Sequence, residues 1–300
     1  MKRGGINFKQ LIMGEVEVIQ PGFYTTVQDM GRYGAACYGV PQSGVMDEFS
    51  AKKANLILNN DRNAAVLEIT MTGPHLRFHG DTQLCITGAR FSIKHNEMLI
   101  QPYELIDVKK GDEIRFLNLE KGFRAYLAIQ GGFINEEIMG SRSQYLAITE
   151  ASRLRKGDKI TFAEIEGLHS RTRSRISKED SWLFMDRVEA YPGPEYDGLT
   201  TGQRDFLINN PFELLATSNR MAINFKHKVK GGVEDIRTSP VLPGTVQLTP
   251  AGDMIVLMKD CQVTGGYGRI LQVSKEGMIV LAQKRPGESV LFTVAHTMIH

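Results

Sequence analysis

Two Gly-rich polar segments hold the residues best suited to chemistry. QDMGRYG places Gln28, Asp29 and Arg32 around Gly31 and Gly34, and glycine lets backbone approach a ligand closely. A guanidinium such as that of Arg32 can grip a carboxylate through two parallel N–H bonds. Equally, Arg32 and Asp29 can pair and clamp a tight turn. Near the other end, KDCQVTGGYG gathers Lys259, Asp260, Gln262, Thr264 and Tyr267 around Gly265 and Gly266. Asp260 has the chemistry of a general base, or of a group that orients a polar partner. Lys259 could polarise a carbonyl or stabilise developing negative charge. Gln247 and Gln262 can match the donor and acceptor of an amide. The plainer alternative is a self-satisfied turn, with Asp260 accepting local N–H groups.

Such residues need rigid supports. MIVLM (254–258) is a continuous apolar run, expected as a strand buried on both faces that delivers Lys259 and Asp260 at its exit. Period-two alternation recurs in VEVIQ (16–20), HLRFH (75–79), QLCITG (83–88), EIRFLNL (113–119), KITFAEI (159–165), TVQLTP (245–250) and SVLFTVA (289–295). These read as short strands. Helical spacing is confined to 43–60, where Met46, Phe49, Ala54 and Leu58 form a stripe, and to a segment near 200–210. A basic residue, a Gly-Asp/Glu turn and an alternating strand recur in KKGDEIRF (109–116), RKGDKITF (155–162) and RPGESVLF (285–292). In each the glycine is expected at positive φ. The pattern predicts a mainly β fold of two lobes, 14–168 and 180–300. The basic, Ser-rich stretch HSRTRSRISK falls between them, in a linker at 169–179.

Composition narrows the class. The 300 residues can bury a substantial core, and the net charge of +2 comes from interspersed signs. That balance leaves no nucleic-acid footprint, and no apolar run reaches the roughly 20 residues of a membrane span. The start, MKRGGINFKQ, lacks the apolar core of a signal peptide, so a cytoplasmic location is expected. Three cysteines without CxxC or Cys/His spacing argue against a disulfide framework or a metal site. None of the seven histidines falls in a Ser/His/Asp set or a metal spacing. His75 and His79 share one strand face and read as structural or exposed.

Taken together, PGFYTTVQDMGRYGAACYGVPQSGVMD (21–47), KKANLILNN (52–60), VLEITMTGP (66–74), FRAYLAIQGG (123–132), GSRS (140–143), PGTVQLTPAGDMIVLMKDCQVTGGYGRI (243–270) and LAQKRPGESVLF (281–292) resemble one family, the biotin-dependent carboxyltransferase domain family. It includes the carboxyltransferase region of urea carboxylase, the second subunit of allophanate hydrolase, and the C subunit of bacterial 5-oxoprolinase. The resemblance implies two cyclophilin-like β-barrel lobes with a cleft between them. For a stand-alone chain of this length it implies the 5-oxoprolinase C subunit. That protein works with subunits A and B in an ATP-dependent enzyme that converts 5-oxo-L-proline to L-glutamate. 5-Oxoproline would offer its carboxylate to Arg32 and its lactam amide to Gln247 or Gln262.

Two segments depart from the family pattern. The Gly-Gly…Gly-Arg stretch is ITEASRL (148–154), keeping only Arg153. The Ser-x-Arg-Met-Gly-x-Arg-Leu stretch is SNRMAINF (218–225), keeping Arg220 and Met221. Arg220 joins the substrate-binding candidates through this match. Asp47, Asn55, Glu68 and Arg142 also lie in matching segments; Glu68, inside an alternating strand, must point outward or be paired. The departures motivate a non-catalytic alternative, a regulatory protein that binds a kinase inhibitor resembling the B subunit. A third reading is carboxyl transfer to urea or a related amide from a separate biotin carrier. No covalent biotin is expected on this chain, because VLMKD lacks the second Met of a biotinylated turn. SAKK (50–53) stands without partner motifs, and the P-loop spacing is absent, so ATP is expected elsewhere in the assembly.

Overall fold

A computed structural model describes residues 12–164 and 180–295. The basic stretch and its expected linker lie outside the described residues. In the N-terminal half, strands β1 (Met13–Gln20), β2 (Tyr24–Gln28), β3 (Val66–Thr70), β4 (His75–Phe78), β5 (Thr82–His95), β6 (Met98–Ile100), β7 (Ile106–Val108), β8 (Glu113–Ile129), β9 (Phe133–Ile134) and β10 (Lys159–Ala163) form one sheet. Its path runs β2-β3-β8-β4-β1-β10-β9, and β5 packs along β8. The 17-residue β8 pairs with β4 through its first residues and with β3 through its last. Register shifts between β5 and β8 bend the pair, as bulges do where a sheet curls toward a barrel. Val16, Leu67, Phe78, Ile86, Leu127 and Phe162 fill the interior.

The C-terminal half follows with β11 (Arg187–Pro192), β12 (Phe212–Glu213), β13 (Ala222–Asn224), β14 (Ser239–Pro240), β15 (Thr245–Leu248), β16 (Met254–Leu257), β17 (Thr264–Gly265), β18 (Gly268–Val273) and β19 (Ser289–Val294). Seven of these form an open sheet in the order β12-β19-β11-β18-β15-β16-β13, while β14 and β17 pair alone. The fold is mainly β, as the alternation requires, with a nearly closed barrel joined to a half-barrel sheet. Each of the seven expected strands is found.

The recurring turn works the same way three times. Gly111, Gly157 and Gly287 take φ of +97°, +88° and +86°. The carboxylate that follows accepts from the backbone N–H three residues earlier: Asp112 from Lys109 (2.9 Å), Asp158 from Arg155 (2.7 Å) and Glu288 from Arg285 (2.8 Å). Glycine supplies the left-handed turn and the acid locks it. His75 and His79 meet Glu113 and Glu17 on the barrel surface.

Helix α1 (Glu48–Ile57) begins five residues later than the start of the 43–60 segment expected to be helical. Asp47 caps it, accepting from the Ser50 N–H at 2.9 Å, while Ser43 and Gly44 hold positive φ and cannot join a helix. Met46 is released from the stripe and plugs into the C-terminal core beside Val188 and Phe212, only 1% exposed. Helix α2 (Thr201–Asn209) starts on a capping box between Thr200 and Gln203. Helix α3 (Lys275–Ala282) has no amphipathic signal, because Gly277, Met278, Val280, Leu281 and Ala282 are all buried.

Besides Met46, polar contacts tie the halves together. Gln283, at the end of α3, receives the Phe123 and Arg124 N–H groups on Oε1 and donates to Asp47 and the Arg124 carbonyl. Arg285 donates to the Gly122 carbonyl at 2.7 Å. The Lys53 ammonium lies over the rings of Phe49, Tyr103 and Trp182, 4.9–5.6 Å from their centroids, and so fastens the start of the C-terminal half to α1.

Candidate functional site

The first Gly-rich segment leaves β2 and runs back-to-back with residues 42–45. Arg32 N–H donates to the Gln42 carbonyl and Val45 N–H to that of Asp29. Contact is so close that a Cβ on Gly31 would lie 2.9 Å from the Ser43 carbonyl, and one on Gly44 would lie 2.8 Å from Gly31 N. Here the glycines serve backbone-to-backbone packing. Asp29 turns its carboxylate inward and accepts from four groups: Gly31 N–H, the Ser141 and Ser143 hydroxyls, and Arg142 N–H, at 2.6–2.8 Å. Arg32 donates to the carbonyls of Ile138 and Ser143 at 2.9 and 3.0 Å. It is 1% exposed, its Nη1 has no partner, and burial lowers its pKa. The two residues therefore clamp the 138–143 loop separately, and neither presents an open face to solvent.

Gln28 and Arg220 form the centre of the junction. Arg220, 6% exposed, reaches from the C-terminal half into the N-terminal one. Its Nε and Nη2 hold both oxygens of Asp260 at 2.7 and 3.1 Å, and Nη1 meets Glu68 at 2.5 Å. Nη2 also donates to the Gly44 carbonyl at 2.7 Å and, more loosely, to Gln28 Oε1 at 3.3 Å. Burial works against its charge, but Asp260 and Glu68 overcome that and raise its pKa. Such a pair is favourable only when every ion is matched, and here the match is nearly complete. Glu68, fully buried on β3, also accepts from Met46 N–H at 2.7 Å and from the Tyr126 hydroxyl at 3.0 Å, with Arg124 at 3.8 Å. Burial raises the Tyr126 hydroxyl well above its usual pKa, and Glu68 adds to the effect. The phenol therefore stays a donor.

The second segment divides. Lys259 and Asp260, each 7% exposed, leave β16 and turn into the junction. Lys259 Nζ pairs with Glu48 at 2.7 Å, while its carbonyl receives Ser43 N–H. Burial pushes the Glu48 carboxyl up, but Lys259 and then Lys52 outweigh it and hold the group down to about 2. Beyond Cys261 the chain emerges: Gln262 and Thr264 are exposed and Tyr267 is 41% exposed. Gln247 is buried on β15 and makes a loose 3.5 Å contact with the Tyr267 carbonyl.

The structure thus brings Gln28, Arg220, Asp260 and Lys259 together and places Gln262, Thr264 and Tyr267 on a separate exposed hairpin. Tyr24 and Tyr145, both partly exposed, lie within electrostatic reach of Asp260. Asn55 donates to the Ala64 carbonyl, and Arg142 pairs with Glu137. Sequence reasoning missed Arg124, Tyr126 and Gln283. Their signal was a charged or polar residue inside an otherwise apolar run, FRAYLAI and IVLAQ, since such a residue is buried only when satisfied. Among the described residues no cluster of His, Cys, Asp or Glu could hold a metal ion, and no helix is long and apolar enough to cross a membrane.

Comparison with known proteins agrees with this architecture. The sequence profile of the family described as carboxyltransferase domain, subdomain A and B, matches residues 38–294. The C subunit of 5-oxoprolinase from Escherichia coli is 32% identical over 283 residues, covering 92% of this chain and 90% of that protein. The Haemophilus influenzae protein of the same name is 28% identical over 284 residues, with the same coverage. Among solved structures, Kluyveromyces lactis urea carboxylase superposes with a TM-score of 0.83 at 27% identity. That match covers 95% of this chain and 28% of the yeast chain, so the present chain spans little more than a quarter of it.

Proposed function

The chain belongs to the carboxyltransferase domain family with subdomains A and B, and from that premise we propose that it is the C subunit of an ATP-dependent, cytoplasmic 5-oxoprolinase. The observation that carries this reading is the correspondence, over 92% of this chain and 90% of each relative, with two proteins named as 5-oxoprolinase C subunits. The urea-processing relatives instead match within much longer chains. In this reading the chain acts with subunits A and B to open 5-oxo-L-proline to L-glutamate, and ATP is handled elsewhere in the assembly.

The interlobe junction supplies the groups the reaction calls for. Asp260 orients or accepts a proton from the lactam end of the substrate, with Arg220 holding both carboxylate oxygens. Lys259, kept in place by Glu48, stabilises charge developing on the carbonyl oxygen. Arg32 acts through the loop it clamps. The isolated chain is expected to be inactive, with activity appearing on addition of subunits A and B. Asp260→Asn should then lower turnover by about 100-fold or more, the scale of a lost general base. A reconstituted assembly that is fully active with Asp260→Asn sinks the site assignment.

The superposition on urea carboxylase supports a second reading, carboxyl transfer to urea or a related amide. Lys259 is buried and ion-paired, which does not fit a lysine offered for biotin attachment, so the biotin would arrive on a separate carrier. Incubation with a carboxylated biotin carrier and urea tests it. Failure to form a carboxylated product removes this reading and leaves the first untouched.

A further inference from the structure

The N-terminal barrel leaves a seam. β2 is a terminal strand of its sheet, and its outer edge is met by the 135–158 connection through a few contacts: Gln144 with Val27, and Leu154 with the Thr25 carbonyl. Across the gap, β9 covers β10 only at Thr161 and Phe162. Between the two edges lies a cleft of 490 Å³ built wholly from the N-terminal half, within the size range of small-molecule sites.

Gln144 lines the cleft and is 8% exposed. Its Oε1 is occupied by Val27 N–H, while its Nε2 makes no hydrogen bond among the described residues. Nε2 is not a buried unpaired polar atom, so this donor is accessible and available to a ligand in the cleft that Gln144 lines. Around it stand Arg153, Arg155, Glu136 and Glu150. Neither guanidinium and neither carboxylate forms an ion pair among the described residues; the Glu136 carboxylate has only a long 3.4 Å contact from the Glu150 N–H. Asp158 and Lys159 also line the cleft, but Asp158 locks its own turn and Lys159 is paired with Glu15. The cleft thus has exposed, unpaired charges of both signs around an accessible amide donor.

We propose that this seam binds a small zwitterion, a free amino acid whose carboxylate meets Arg153, whose ammonium meets Glu150 or Glu136, and whose side-chain carbonyl accepts from Gln144 Nε2. The site is separate from the interlobe junction and does not depend on the subunit reading. The two do touch, because the Gln144 carbonyl receives Gln28 Nε2 at 3.0 Å and Gln28 in turn meets Arg220.

The test is calorimetric titration of the full chain with L-glutamine, which presents all three groups, and with 4-carbamoylbutanoate, which lacks the ammonium. L-Glutamine should bind saturably, and loss of one charged contact, by Arg153→Ala or by use of the deaminated analogue, should weaken binding by about 10-fold or more. Both Arg153 and Glu150 are exposed, so Arg153→Ala and Glu150→Gln should leave the fold intact, and a matching thermal transition checks this. Asp260→Asn should bind L-glutamine as the wild type does. No saturable binding overturns the proposal, as does binding that survives Arg153→Ala or disappears in Asp260→Asn.

Discussion

The two Gly-rich segments look alike in sequence and are used in opposite ways. In residues 29–32 the polar groups are consumed by the protein itself: Asp29 satisfies four donors and Arg32 two carbonyls, all in the N-terminal half. In residues 259–267 Lys259 crosses to Glu48 in the other half, Asp260 holds Arg220, whose guanidinium crosses to Glu68, and Gln262, Thr264 and Tyr267 face solvent. A polar residue beside glycine is therefore not yet a site. What separates a clamp from a site is whether its partners are backbone groups fixed nearby or charged side chains brought from a distance.

The sharpest way to break this contrast is to remove the charge at its centre. Arg220→Ala leaves Glu68 and Asp260 buried without their cation, and should cost roughly 3–5 kcal/mol in denaturant unfolding. Arg32→Ala strands carbonyls rather than carboxylates and should cost about 1–3 kcal/mol. Equal losses in the two variants would erase the distinction. Asp29→Ala comes next: it orphans several donors in the 138–143 loop and should lower stability by about 2–3 kcal/mol, with faster proteolysis confined to that loop.

The Lys259–Glu48 contact makes a pH prediction. The Glu48 carboxyl is held down to about 2 from a usual 4.5. Its contribution should be fully present above pH 4.5 and fade as the pH falls toward 2, since protons then bind more readily to the unfolded chain. Denaturation midpoints followed between about pH 5 and pH 2.5 should fall more steeply for the wild type than for Glu48→Gln. Parallel curves would show that the pair adds nothing. The smallest effect belongs to the exposed hairpin, where Gln262→Ala should change stability by no more than about 0.5 kcal/mol.

Much of the fold was legible because its signals are local. Alternation located the seven expected strands, and the KKGDEIRF-type turn predicted three positive-φ glycines. Helix α1 was placed but its start was not, since a stripe that includes Met46 cannot reveal that Met46 belongs to the other half's core. Helix α3 was missed because burial on all sides removes the periodicity by which helices are recognised. At the site, Asp260, Lys259, Arg220 and Gln28 were named from sequence, while Arg124, Tyr126 and Gln283 were not. Glu68 was flagged only as a carboxylate that must be exposed or paired. It is paired, with an arginine 152 residues away.

By itself the sequence determined the strand pattern, the turns and which residue types could carry chemistry, because these depend on neighbours a few positions apart. Only the tertiary structure decided that Asp29 and Arg32 are spent on holding a loop while Gln28, Lys259 and Asp260 enter the interlobe junction. That choice depends on charges meeting across hundreds of residues in a place without water. There, a carboxylate is tolerated only where a cation has been brought to it.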